Sequence, residues 1–298
     1  MSGRQIKLFL VDGTPGGLTT AEITNWTGHV ISAPRNKTGE LLARDESRRT
    51  GVYLLLGEDK EVDDDARCYI GEADVVGDRL RSHNREKDFW DRVVVITSKD
   101  ANLTKSHVRY LESRLITLAN LAGRVTLENG TAPPLPPLPE ADMSDMDYFL
   151  SQLQIVLPVL GVDAVRVLDE TANPAASSTD DSPVFELNFP RSGVLAKGRQ
   201  IDGEFVVLAG SRIVPRWSAT GKAASTRRSY DKYRAQHEAL LEDGSISVVD
   251  GVGLVTRNIP FKSPSTAGAI ALGRSCNGRE SWLYPGGNFG RWESRGVE

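Results

Sequence analysis

Cysteine, histidine and methionine are scarce in this chain, whose 298 residues include two Cys, four His and three Met. Cys68 and Cys276 lie too far apart in sequence to suggest a disulfide framework, which favours a cytosolic protein. The scattered His and Cys offer no ligand spacing for zinc, and there is no P-loop or dinucleotide-binding fingerprint. No apolar run approaches the roughly 18 residues of a membrane span, and no secretory signal is evident. We therefore expect a cytoplasmic protein without a membrane partner.

Charge is distributed unevenly along the chain. The formal net charge of −4 argues against a protein that binds nucleic acid by electrostatic attraction alone, but it leaves room for a local basic face. However, residues 135–190 contain ten acidic residues and one Arg, whereas residues 191–234 contain ten Lys and Arg and three acidic residues. Neighbouring blocks of opposite sign indicate either different tasks or a segment that folds back on its neighbour.

A proline-rich segment gives the clearest domain boundary. Five of the eight residues at 132–139 (APPLPPLP) are proline, which excludes a helix or a central strand and favours a stiff polyproline II spacer. An interdomain linker is the favoured interpretation, and a ligand for SH3-type domains is the alternative. We predict four regions: a first domain at 1–131, a linker at 132–141, a helix with a flexible acidic segment at 142–183, and a C-terminal domain at 184–298.

Hydrophobic patterning predicts an α/β or α+β fold. In the first domain, strand-like runs at 7–11, 29–33, 51–57, 67–70 and 92–97 alternate with helical patterns at 74–84 and 102–121. Beyond the linker, the pattern predicts an amphipathic helix at 143–157, a loop at 171–183, strands at 184–189, 193–199 and 204–208, and a charged helix at about 226–242. We expect a small mixed or antiparallel sheet flanked by helices, followed by a second, smaller α+β domain.

A few polar residues of the first domain stand out against this pattern. Arg79 and His83 are four residues apart and so share one face of a predicted helix. Glu112 lies in an apolar stripe of the next helix, and a buried charge of this kind calls for an ion or a basic group beside it. Two tripeptides precede them on neighbouring strands, Gly51-Val52-Tyr53 and Tyr69-Ile70-Gly71. Each residue alone fits an ordinary structural role, so the functional interpretation depends on the combination.

This combination resembles the GIY-YIG nuclease superfamily over roughly residues 48–130. Gly51-Val52-Tyr53 is similar to the first tripeptide, with Val in place of Ile, and Tyr69-Ile70-Gly71 matches the second. The resemblance implies that Arg79 is the catalytic arginine, that His83 is the histidine of several members, and that Glu112 is the single metal ligand. It implies a metal-dependent endonuclease that uses Mg²⁺ or Mn²⁺ and leaves 5′-phosphate and 3′-hydroxyl ends.

Three features depart from the family pattern. The loop at 58–66 (EDKEVDDDA) is acidic and lengthens the separation of the two tripeptides. Glu72 stands where repair nucleases of the family carry a Lys, so one cation that faces phosphate is missing. The family's Asn after the metal-binding helix is best matched by Asn129, with Asn120 as the alternative. These departures bear on substrate preference.

The chemistry of such a site is coherent. Phosphodiester hydrolysis needs an activated water and stabilisation of charge on the phosphate. One hard cation held by Glu112 could stabilise the charge on the phosphate. A single protein ligand is enough, because Mg²⁺ completes its coordination shell with waters and substrate phosphates. Arg79 would clamp non-bridging oxygens. Tyr53 would orient or deprotonate the water, which requires a pKa below the ordinary value of about 10. Tyr69 would bind the phosphate or the water, and His83 would share the proton transfer.

The second half of the chain has its own signature. Residues 202–211 (DGEFVVLAGS) and 261–282 resemble an uncharacterised domain that often follows GIY-YIG domains, and the tail is similar to modules of DNA methylases and restriction enzymes proposed to read modified DNA. Ser263 and Pro264 predict a helix start, and Trp282 is the expected packing anchor. Cations interleaved with aromatic residues suit a nucleic-acid strand, with a merely solvated face as the equally weighted alternative. The candidate residues for this contact are Arg212, Arg216, Trp217, Arg227, Arg228, Lys232 and Arg234.

The sequence thus predicts an endonuclease that hydrolyses DNA, with a C-terminal domain that binds or selects the DNA, in repair, restriction or phage defence. One alternative is a nucleic-acid-binding or regulatory module whose GIY-YIG fold is catalytically idle. Another is a scaffold that docks a partner protein through the proline-rich and acidic segments. The three hypotheses differ in whether Glu112 is needed for turnover.

Overall fold

The computed structural model describes residues 3–58, 66–100, 102–130, 133–167, 182–218 and 224–295, with side chains of the last range described from residue 230 onward. The chain forms two compact units, Met1–Val167 and Leu168–Glu298. Both combine helices with mostly antiparallel strands, so the predicted α+β class is confirmed. Within the described ranges, no helix has the length and apolar character to cross a membrane.

The first unit is built on a seven-stranded sheet. Its strand order is β1-β2-β3-β6-β4-β5-β7, and every pair is antiparallel except β5 with β7. The strands are β1 (Ile6–Leu10), β2 (Thr19–Ile23), β3 (Gly28–Pro34), β4 (Gly51–Glu58), β5 (Ala66–Ala73), β6 (Arg92–Ser98) and β7 (Thr126–Leu127). The helices are α1 (Thr38–Leu42), α2 (Val76–Glu86), α3 (Lys105–Ala122) and α4 (Glu140–Val159), with 3₁₀ turns at Arg35–Lys37 and Asp45–Arg48.

The central strand β4 is buried on both faces and separates two apolar clusters. Val52 and Leu54 pack with residues of α3 and α4 in one cluster. Tyr53 and Leu55 pack with residues of α2 in the other cluster. This division follows from the alternation of side chains along a strand, which sends successive residues to opposite faces.

Helix α4 belongs to the first unit. The sequence prediction separates this helix from the first domain at the proline-rich segment, but the apolar stripe of α4 is buried in the same cluster as β4 and α3. Phe149 illustrates the contact, with its ring centroid 4.9 Å from that of Trp26. The described part of the proline-rich segment, 133–139, therefore lies between β7 and α4 of one unit, while residues 168–181, which hold most of the predicted loop, lie outside the described residues.

The second unit is built on a nine-stranded sheet. Strands β12-β13-β11-β9-β8-β15-β16 follow one another, and β10 pairs with β9 and β14. The strands are β8 (Phe185–Phe189), β9 (Val194–Ile201), β10 (Glu204–Val207), β11 (Arg212–Ile213), β12 (Ile246–Val249), β13 (Val252–Val255), β14 (Ile259–Phe261), β15 (Leu283–Tyr284) and β16 (Gly287–Asn288). The helices are α5 (Ala224–Glu242), α6 (Pro264–Leu272), α7 (Gly278–Ser281) and α8 (Phe289–Glu293), with a 3₁₀ turn at Pro190–Ser192.

Helix α6 and Trp282 anchor the core of the second unit, as the sequence predicts. The Ser263 side chain caps α6 by accepting a hydrogen bond from the Thr266 amide, and Pro264 is the first helical residue. The Trp282 indole is fully buried and donates a 2.9 Å hydrogen bond to the Pro264 carbonyl. Its ring packs against Phe205 of β10, so one side chain ties the start of α6 to the sheet.

Candidate functional site

The two tripeptides lie on the adjacent antiparallel strands β4 and β5. Tyr53 is opposite Gly71, and Tyr69 is opposite Leu55. Because residues opposite each other share a face and side chains alternate along a strand, both tyrosines project from the same face of the sheet. Their ring centroids are 6.2 Å apart. Antiparallel register alone thus brings together two phenols that are sixteen positions apart in the sequence.

The glycine of each tripeptide allows a close approach. A Cβ atom at Gly71 would fall 2.6 Å from Cζ of Tyr53, inside van der Waals contact. A Cβ atom at Gly51 would clash with the carbonyl oxygen of Ile96 on β6. Gly71 therefore makes room for the Tyr53 phenol, and Gly51 lets β4 lie close to its neighbour.

Helix α2 places His83 and Arg79 beside the tyrosines. Nε2 of His83 is 2.8 Å from the Tyr53 hydroxyl, and the His83 ring centroid is 5.1 Å from that of Tyr69. Arg79 lies one turn earlier, is exposed, and is close enough to lower the pKa of both phenols. Tyr53 is 1% exposed whereas Tyr69 is half-buried, so Tyr69 is the phenol nearer to solvent.

Burial keeps the Tyr53 phenol and the His83 imidazole neutral. It raises the pKa of Tyr53 far above its ordinary value, Tyr69 adds to the effect, and Arg79 opposes it only in part. The lowered pKa that Tyr53 would need to act as a base is therefore not supplied by Arg79 alone, because loss of solvation outweighs the nearby charge. Burial, then the cations of Lys87 and Arg79, lower the pKa of His83. A neutral imidazole thus faces a neutral phenol, and the pair can pass a proton.

Glu112 lies on α3, half-buried, and is close to both tyrosines. Helix α3 begins with a capping box at Thr104, which fixes the register of the residues that follow. Burial and the neighbouring carboxylate of Glu72 raise the pKa of Glu112 to about 7. Lys105, Arg109 and Arg79 oppose this rise. Among the described residues, none of these cations forms an ion pair with Glu112, so the basic partner expected from the sequence is nearby but not in contact.

The surroundings of Glu112 fit a hard divalent cation. A half-buried carboxylate whose charge is uncompensated by direct contact gains most from a cation. Mg²⁺ is commonly held by one or two carboxylates together with waters and phosphate oxygens. Among the described residues, no group of three or more Asp, Glu, His or Cys side chains is placed so that it could hold a metal ion, so these residues do not form a closed protein cage. One protein ligand, open to substrate, is the arrangement that these residues offer.

Glu72, the carboxylate near Glu112, forms an ion pair with Lys105. Nζ of Lys105, the first residue of α3, is 2.7 Å from a Glu72 carboxylate oxygen and 3.4 Å from one of Asp74. Lys105 is thus committed to two carboxylates. The predicted acidic loop lies largely at 59–65, outside the described residues.

Asn129 holds the backbone of β5. Its side-chain oxygen accepts a 2.9 Å hydrogen bond from the Ile70 amide, and its side-chain nitrogen donates a 2.7 Å hydrogen bond to the Ile70 carbonyl. Both ends of the amide are therefore used by the residue next to Tyr69. Asn129 acts as a positioning residue, and its predicted place at the site has a structural explanation.

In the second unit, the candidate cations are in part exposed and the candidate aromatic platform is buried. Arg212, Arg216 and Lys232 are exposed, and Arg234 is half-buried, 3.9 Å from Asp231. The Arg227 and Arg228 side chains lie outside the described residues.

Trp217 does not present a free stacking face. It is 8% exposed, and its ring centroid lies 5.5 Å from that of Tyr230 and 5.8 Å from that of Tyr233 on α5. This burial does not support the prediction that Trp217 stacks on a nucleic-acid base, because the ring packs against the tyrosines of α5.

A residue that the sequence reasoning missed is Lys87, directly after α2. Its Nζ lies 4.5 Å from the centre of the Tyr69 ring. The signal was present in the sequence, because Arg79, His83 and Lys87 are spaced by four, the spacing that places side chains on one face of a helix.

Comparison with known families finds one match: a domain of unknown function (DUF4357) corresponds to residues 185–289. This range runs from β8 to the start of α8 and so covers most of the second unit. No curated protein and no solved structure matches the chain.

Proposed function

We propose that the first unit is a metal-dependent endonuclease of the GIY-YIG type that hydrolyses phosphodiester bonds in DNA. The observation that carries the proposal is the 2.8 Å contact between the Tyr53 hydroxyl and His83 Nε2, with Tyr69 beside both. Arg79 and Glu112 are close enough to shift the pKa of both phenols. The phenols and the imidazole can move protons, and the guanidinium and a cation held by the carboxylate can stabilise charge, which are the two contributions that this hydrolysis needs.

The proton path starts at Tyr69, the more accessible phenol. Tyr69 and Tyr53 interact through their hydroxyl groups, and Tyr53 in turn contacts His83. A water held at Tyr69 can therefore pass its proton to the Tyr69 oxygen, while Tyr69 passes its own proton to Tyr53 and Tyr53 passes its own to Nε2 of the neutral His83, which leaves hydroxide at Tyr69 and imidazolium at His83. The lowered pKa of His83 suits this role, because the imidazole is unprotonated and ready to accept at neutral pH.

Charge on the phosphate is stabilised by Arg79 and by the cation that Glu112 would hold. Arg79 is exposed and has a planar fork that binds two non-bridging oxygens at once. When bound, Mg²⁺ or Mn²⁺ supplies Lewis-acid stabilisation of the phosphoryl and leaving oxygens.

We assign DNA binding or selection to the second unit. The exposed cations Arg212, Arg216 and Lys232 support this role, since contacts of Lys and Arg with phosphates supply most of the non-specific affinity for DNA. The C-terminal match to a family of unknown function is compatible with the assignment but does not test it.

Cleavage of labelled single-stranded, duplex and branched DNA by the full chain, with Mg²⁺ or Mn²⁺, tests the proposal. Glu112→Gln is expected to lower the rate by about 1000-fold or more, because the site loses its cation ligand. Glu58→Gln is the matched control, since Glu58 is exposed at the end of β4 in the same unit. Metal-dependent cleavage that survives Glu112→Gln contradicts the proposal.

A catalytically idle module is the second candidate function. It is favoured by one observation: Tyr53 is 1% exposed and burial raises its pKa, as expected for a purely structural phenol. Binding to every DNA form without cleavage of any would select this candidate.

A further inference from the structure

Lys87 is tied to the candidate site at both its backbone and its side chain. It follows the last residue of α2, and its amide donates a 2.9 Å hydrogen bond to the carbonyl of His83. Its ammonium group lies over the Tyr69 ring, 4.5 Å from the ring centre. The contact with the negative face of the ring fixes where this charge is held. The positive charge is thus placed at the more accessible of the two phenols.

The neighbouring carboxylates are occupied elsewhere. Glu86 accepts a 2.6 Å hydrogen bond from the Ser82 hydroxyl, and Asp88 lies 3.5 Å from Arg35. Across the described ranges, no carboxylate forms an ion pair with Lys87. Lys105 differs, because it is paired with Glu72. Lys87 is therefore a half-buried cation whose charge is open to an anion from outside the protein.

We infer that Lys87 binds a non-bridging phosphate oxygen of a DNA strand that crosses Tyr69, in addition to the phosphate contact of Arg79. The inference rests on the proposed function and adds a substrate-binding residue to it. An ammonium group is a compact charge with three rotatable donors and suits a single phosphate oxygen. The spacing supports the geometry, because Arg79 lies on α2 and Lys87 directly follows the last residue of α2, so the two cations can follow one strand.

The test is DNA binding by the full chain in the presence of EDTA, so that binding is measured without cleavage. The probe is a fluorescently labelled DNA duplex, titrated at several salt concentrations. Lys87→Gln is expected to weaken binding by about fivefold to tenfold at low salt. It should also reduce the slope of log affinity against log salt by about one, because one phosphate contact is lost. Lys87→Arg keeps the charge and should retain the wild-type slope.

Arg85→Gln is the matched control. Arg85 is exposed on the same helix, two residues before Lys87, and so projects from a different face. Removing its charge should leave the slope as in the wild type. Circular dichroism of each variant verifies the fold.

Two results separate failure of this inference from failure of the proposed function. Cleavage by the wild type, together with an unchanged salt slope for Lys87→Gln, overturns the role of Lys87 and leaves the nuclease in place. A reduced slope in Lys87→Gln with no cleavage by the wild type supports the Lys87 contact and contradicts the nuclease.

Discussion

Glu112→Gln should make the protein more stable at alkaline pH. In the folded chain, burial and Glu72 raise the pKa of Glu112 from 4.5 to about 7. The unfolded chain releases this proton near pH 4.5, so between the two values the folded chain holds a proton that the unfolded chain has lost. The free energy of unfolding therefore falls as pH rises through this range. Glutamine carries no charge at any pH, so the Gln variant does not lose stability as this residue ionises.

The size of the effect follows from the two pKa values. Each pKa unit corresponds to about 1.4 kcal/mol, so the full difference corresponds to about 3 kcal/mol. Glu112 is only half-buried, and solvent screens part of this, so we expect the Gln variant to gain about 2 kcal/mol at pH 8. At pH 4 both folded and unfolded chains hold the proton, and the gain should be close to zero.

Urea unfolding followed by circular dichroism at about pH 4 and about pH 8 measures the difference in the free energy of unfolding. Glu58→Gln, which removes an exposed carboxylate from the same unit, should change stability little at either pH. Added Mg²⁺ should stabilise the wild type and not Glu112→Gln, because the ion binds the deprotonated carboxylate of the folded chain. Equal stability of the wild type and Glu112→Gln at pH 8 would refute the claim that Glu112 is held in an unfavourable environment.

Three further substitutions test other parts of the structure. Tyr53→Phe breaks the proton path and should lower single-turnover cleavage by about 100-fold or more, with DNA affinity unchanged. If the variant cleaves at the wild-type rate, Tyr53 is not part of the path. Gly71→Ala places a methyl group 2.6 Å from Cζ of Tyr53 and should reduce cleavage similarly, whereas Gly39→Ala, with open space around it, should not. Trp282→Ala should destabilise the second unit by about 3–5 kcal/mol in urea unfolding; a loss below 1 kcal/mol would contradict its anchoring role.

Regular spacing made the core of the site predictable. The positions of Arg79 and His83, four residues apart, fix a shared helix face, and the structure brings that face to Tyr53 and Tyr69. The main strands of the first unit were predictable for the same reason, because each is a run of β-branched and apolar residues. Strand β2 was missed, since its sequence TTAEI is short and half polar.

Contacts between distant elements were not predictable. The pairing of Glu72 with Lys105 joins β5 to α3, and nothing in the local pattern of either element specifies the other. The cations near Trp217 in the sequence predict a contact with nucleic acid, but Tyr230 and Tyr233 of α5 pack against this ring. Burial of an aromatic ring depends on which helix packs over it, and periodicity carries no such information.

The hydrogen bonds of Asn129 have a consequence for self-association. Among the described strands, β5 has β4 on one side and the two-residue β7 on the other, and the pairing with β7 ends at Cys68. Asn129 occupies both hydrogen-bonding groups of Ile70, as a neighbouring strand would. An open strand edge is a template for pairing with another chain, and natural proteins block such edges to avoid aggregation. The same amide that holds the tyrosine strand in place therefore also guards the sheet against edge-to-edge growth at this point.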